Sequence, residues 1–336
     1  MAKPPKPAKS EPTTVVSIRS VIASAVVLAL AGALAINSVI SSDEPTKDPR
    51  PQQTTTTRAP SPALVKLDEE LSGAVNLSVA FASSVQILDR DLRAGTIDGR
   101  DLAGRAVAFE DQVSQSLTTV SQLTVPPGAE IVRTYATQAM ELYQISTRLL
   151  QGENGVVTPS YSGLSVRTKL LADRVFDRAR LALDLLNYGV PSSVGNRLLE
   201  ASIIPDFSSD APDTGINPSA SPAPERAMSK SAWVKEVERQ AGIITKVINS
   251  IDLQSLADDS KNQLVLTESS NALAINLEQL SLTESARVLR LATVIIQQSL
   301  TAKQIGSLSN SEALLALGQR LWTSGAKEAK INVSLN

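Results

Sequence analysis

Val21 to Ile40 reads VIASAVVLALAGALAINSVI, twenty residues without a charge. At about 1.5 Å of rise per residue, a helix of that length is roughly 30 Å long, the thickness of a bilayer's hydrocarbon core. No other stretch restricts the chain so strongly: 21–40 is expected to cross a membrane as a single helix, with the bulk of the protein on the side where it emerges. Lys3, Lys6, Lys9 and Arg19 precede it against one acid, Glu11, while Asp43 and Glu44 follow it. That bias orients the N-terminus toward the cytoplasm and residues 41–336 outside it. Residues 1–20 carry Pro4, Pro5, Pro7 and Pro12 among the lysines and read as a basic cytoplasmic tail too polar to bury a core. A cleaved signal peptide is the competing reading, since Ala33, Leu34 and Ala35 fit a small-x-small cleavage pattern and would release a secreted soluble protein. The apolar stretch runs on through Val39 and Ile40, longer than a signal core, and this favours the anchor. Ala25, Ala29 and Ala33 recur at a spacing that lets two membrane helices approach closely.

Beyond the span, composition excludes more than it suggests. The chain has no histidine and no cysteine, so Ser-His-Asp and Cys-His catalysis, thiol chemistry, disulfides and the common zinc sites are absent. The net charge is −2, with Lys and Arg interspersed among acids, which gives no basic patch for nucleic acid. Aromatic residues are few, and the apolar content is mostly Leu, Ala, Val and Ile, suited to helix packing.

Residues 41–62 hold five prolines and five threonines with no large apolar side chain, and read as a Pro/Thr-rich linker. Helical signals begin at Ser61 and Pro62, which suit N-cap and first-turn positions. Leu64, Leu67, Leu71, Ala74, Ser78, Phe81, Val85, Leu88 and Leu92 then follow at steps of three and four. Second, third and fourth stripes start near Asp101, Ile131 and Leu164, separated by Pro126, Pro127 and Gly128 and by a loop with Gly155 and Pro159. Residues 63–201 are thus expected to form a four-helix-bundle-like domain. A Pro/Ser/Asp-rich linker is assigned to 202–224, and a second helical domain to 225–336. Stripes through Trp233 and Leu266 open that domain, and Ser281 with Glu284 and Ser309 with Glu312 have capping-box spacing before two further runs. The fold class is therefore all-α: one N-terminal transmembrane helix followed by two extracytoplasmic helical bundles.

No stretch carries a catalytic set. Gly99, Gly104 and Arg105 approach P-loop glycine spacing, but Arg105 and Ala106 stand where Lys and Ser or Thr are required. Asp206, Asp210, Asp213 and Asn217 offer oxygen ligands but miss EF-hand spacing and read as a solvated linker. Arg167, Lys169, Arg174, Arg178 and Arg180 share a helix with Asp173, Asp177 and Asp184; this is a solvated face or a dock for acidic groups. Trp233 and Trp322 are expected in a core. Val288, Leu291, Val294 and Ile295 flank the stripe Leu289, Thr293, Ile296, so that helix must bury more than one side, against neighbours or against a partner.

No catalytic, cofactor or metal residue is assigned. The expected function is a membrane-tethered, non-enzymatic interaction or scaffold protein of the cell envelope, with the bilayer as one partner through 21–40 and a protein partner or a second copy as another. A sensory ectodomain holding a small ligand between helices is the alternative.

Overall fold

The computed structural model describes residues 61–188, 228–251, 256–273 and 280–335. The span at 21–40, the tail, most of the first linker and the 202–224 linker with its aspartates lie outside them. The described residues are all-helical, with no strand among them. None of their helices is long and apolar enough to cross a membrane.

Helices α1 to α4 begin at a cap, a proline or a break that the sequence supplies. Helix α1 (Pro62–Arg93) follows Ser61 at the N-cap, with proline in its first turn. Helix α2 (Gly99–Ser121) is capped by the Asp98 carboxylate, which accepts from the amides of Arg100 and Asp101 at 2.8 Å each. Those two bonds hold Asp98 below the usual carboxylate range. Helix α3 (Glu130–Leu149) follows the Pro126–Pro127–Gly128 break, and α4 (Pro159–Tyr188) opens on a proline. Then come α5 (Lys230–Ile251), α6 (Leu256–Ala272), α7 (Leu280–Gln304) and α8 (Leu308–Glu328). The cap of α8 is Ser307, two residues before the expected Ser309, and its side chain makes no capping bond.

Short turns make α1 to α4 successively antiparallel, and α7 and α8 likewise. Helices α1 to α4 close a ring in which α1 meets α2 and α4, and α3 meets α2 and α4. The α3–α4 hairpin also packs on the α7–α8 hairpin, α3 against α8 and α4 against α7, so these four helices form a central bundle. Helix α6 lies along α7, and α5 lies along α6. Thr57–Asn336 is consequently one compact unit, with the two expected helical domains joined across a shared core.

Small residues set how closely the hairpins pair. In α8, a Cβ on Gly318 would lie 2.5 Å from Ile296 Cγ1 and 3.1 Å from the Ala292 carbonyl oxygen, and one on Gly325 would lie 2.9 Å from Val288 Cγ1. The two glycines are seven residues apart, so both face α7. Between α3 and α4, Ser146 and Ser165 exchange bonds: each hydroxyl donates to the other's carbonyl, at 2.9 and 2.7 Å. Val288, Leu291, Val294 and Ile295 are all buried, which assigns the broad apolar surface of α7 to its neighbours within the chain. Trp233 and Trp322 are buried too. After α8 the chain folds back on the body without regular structure: Trp322 Nε1 donates to the Val333 carbonyl at 3.2 Å, and Ile331, Val333 and Leu335 pack on the core.

Candidate functional site

The alternating helix directions give the central bundle two poles. One gathers the start of α3, the end of α4, the start of α7 and the end of α8. The other holds the α3–α4 and α7–α8 turns. Each pole carries a polar constellation that no single stretch of sequence contains.

At the first pole a guanidinium is buried between the hairpins. Arg178 of α4 is 3 % exposed; it donates to Glu284 of α7 at 3.4 Å and to Glu328 of α8. Arg287 donates to the other Glu284 oxygen, and the Tyr135 hydroxyl of α3 donates to Glu328 at 2.7 Å. The Arg178 guanidinium carbon also stands 5.7 Å from the centre of the Tyr135 ring. Two cations thus meet two carboxylates, which is the condition for burying charge without a large penalty. Burial raises Glu284, against the opposing pull of Arg178 and Arg287. Burial likewise raises the Tyr135 phenol, with the Glu328 carboxylate adding to it, so Tyr135 stays a neutral donor.

This cluster resolves the arginine face of α4. Arg174 and Arg178 are buried; Arg174 pairs with Asp177 at 3.1 Å, and Lys169 with Asp173 at 2.8 Å. The acidic groups that dock on Arg178 belong to this chain. Glu284, placed by its spacing in a capping box, instead turns inward to meet Arg178. Its 106-residue separation from Arg178 explains why local pattern could not reveal the pair.

The second pole holds an open cleft of about 330 Å³. Glu110 of α2 and Arg148 of α3 form one wall, with Arg148 Nε donating at 2.7 Å and Gln151 Nε2 adding a second donor to the same carboxylate. Gly152, Glu153 and Tyr161 form another, and Gly306 to Asn310, the cap and first turn of α8, close the third side. The Tyr161 hydroxyl hydrogen-bonds Glu153 and Ser307; burial and the Glu153 carboxylate raise its pKa. Asn310 Nδ2 donates to Ser307 Oγ at 2.9 Å. Left-handed backbone shapes the walls. Gly152 (φ +64°) lets the turn fold on itself, since a Cβ there would lie 2.0 Å from the Val156 carbonyl oxygen, and Gly306 (φ +86°) faces Glu153 and Tyr161.

The remaining candidates find ordinary places. Gly99 lets the α3–α4 turn approach, the Val157 amide donating to its carbonyl at 3.1 Å, so the P-loop-like glycine serves a backbone contact. No cluster of three or more acidic groups suited to a metal occurs among the described residues. Asp206, Asp210, Asp213 and Asn217 lie outside them. No protein-family model, curated protein or solved structure matches this chain.

Proposed function

We propose that this chain is a membrane-tethered, non-enzymatic interaction module of the cell envelope. Residues 21–40 act as its single span, its N-terminus is cytoplasmic, and the helical body is extracytoplasmic. The observation that carries this reading is the direction of α1. The tether joins the body at Ser61, and the 32 residues of α1 end beside the second pole, where Arg93 donates to the Pro159 carbonyl. At about 1.5 Å per residue, α1 separates the tether's entry from the cleft by roughly 48 Å. A concave polar pole at the end of α1 opposite the point where the tether joins suits recognition of a partner or ligand other than the bilayer. Small-ligand sensing is supported by the cleft itself, whose volume falls in the usual range of roughly 300–1,000 Å³ for ligand sites.

Protease added to intact spheroplasts is expected to remove the body and leave the N-terminal tail protected. Crosslinking through a photoreactive residue at position 308 is expected to capture a stoichiometric protein partner. A body fully protected from protease sinks the topology, and its appearance in the medium with a new N-terminus near Ile36 establishes the secreted form instead.

A further inference from the structure

We propose that the cleft between the α3–α4 and α7–α8 turns binds a neutral, polyhydroxylated small molecule of the saccharide class. This deepens the small-ligand reading above and rests on it.

Three features of the lining select that chemistry. The first is charge. Glu110 is neutralised by Arg148 at 2.7 Å, while Glu153 lies across from the first turn of α8, whose amides lack a side-chain cap. With Glu110 and Arg148 paired, the charge left in the lining is the Glu153 carboxylate, set against the positive end of α8, so neither an anion nor a cation is strongly favoured and a neutral ligand fits best. The second is the mixture of donors and acceptors. Glu110 and Glu153 accept; Arg148, Gln151 and Asn310 donate. A hydroxyl does both, and adjacent hydroxyls on one ring meet a carboxylate and an amide together, whereas an apolar ligand would strip water from these groups without replacing it. The third is preorganisation. Tyr161, Ser307 and Asn310 are more than nine-tenths buried and bonded to one another or to Glu153, so the polar wall is fixed before a ligand arrives. At the rim Leu308 is 60 % exposed, an apolar contact for the C–H face of a sugar ring.

The test is a titration of the full-length, isotope-labelled chain in detergent micelles, followed by amide resonances. Separate titrants are an equimolar mixture of glucose, galactose, mannose and N-acetylglucosamine, sodium phosphate, and choline chloride. The sugars are expected to shift Gly152, Gly306, Ser309 and Asn310. Arg148→Ala should weaken that response roughly tenfold, as loss of a charge-assisted hydrogen bond does. Arg239→Ala, on α5, should leave it unchanged. No sugar response, or a response of these amides to phosphate or choline alone, overturns the proposal. A protein captured at position 308 without any sugar response overturns it too, yet leaves the tethered interaction module standing; a sugar response in a chain whose body proves protected from external protease supports the cleft and removes the topology.

Discussion

Deleting the Arg178 guanidinium would leave buried Glu284 beside half-buried Glu328, with Arg287 and Tyr135 as their remaining partners among the described residues. Breaking a buried pair costs about 3–5 kcal/mol, and the surviving partners put Arg178→Ala near the lower end, about 3 kcal/mol by urea denaturation. Arg148→Ala, whose pair with Glu110 is partly solvated, should cost about 1 kcal/mol or less in the same measurement. Equal losses for the two variants would contradict the burial argument. Proton linkage gives a second prediction. Burial raises Glu284 and Asp177 in the folded state, so the native chain holds their protons more tightly than the unfolded one. Stability from these groups therefore grows as pH falls from their raised values toward the ordinary carboxylate pKa, about 4.3 for glutamate. Asp98 and Glu236 are lowered, and their contribution is lost only as pH drops below about 4. Among the described residues Glu284 and Asp177 are the carboxylates that burial raises, so they oppose the loss from the lowered ones. The urea midpoint is expected to rise on mild acidification toward the ordinary carboxylate range, about 4.3, and Glu284→Gln should flatten the rise. A midpoint that falls over this range refutes the assignment.

Among the elements, the α7–α8 hairpin approaches closely at Gly318 and Gly325, and these glycines are the test. Replacing Gly318 by Ala gains about 1 kcal/mol of helix propensity but drives a methyl toward Ile296 and the Ala292 carbonyl, where overpacking costs about 1–3 kcal/mol. A net loss of up to about 2 kcal/mol is expected by urea denaturation; a stabilised variant would show that the hairpin can spread freely. These elements were readable in advance where their signals were local. Ser61–Pro62, the Pro126–Gly128 break and Pro159 mark helix ends, and stripes such as Leu314, Leu317 and Leu321 are buried. The role of Gly318 was not readable, because a glycine inside a helical stripe looks the same whether it faces solvent or a neighbouring backbone. The cleft was hidden for a similar reason: Glu110, Glu153 and Asn310 are unremarkable in their own stretches, and only the meeting of two turns makes them one surface. Glu284 was misread because capping-box spacing and inward pairing use the same residue types.

At the scale of the whole molecule, a Pro-rich boundary suggests two domains that melt separately, but α3 and α4 share a core and an ionic junction with α7 and α8. One cooperative transition is expected. Trp233 and Trp322 both belong to the second set of helices, so tryptophan fluorescence reports that set while far-ultraviolet circular dichroism reports both. The two curves should coincide, and Arg178→Ala should move them together; a fluorescence midpoint at lower urea than the dichroism midpoint would mean that the sets come apart. The same junction sets a timetable for biogenesis. Arg178 and its acceptor Glu328 are 150 residues apart. A ribosome adding about 5–20 residues per second needs roughly 8–30 s to cover that distance. Until Glu284 is made, 106 residues on, the α4 guanidinium has neither of its acceptors, and until α7 and α8 follow, the nascent first bundle must wait with that face exposed.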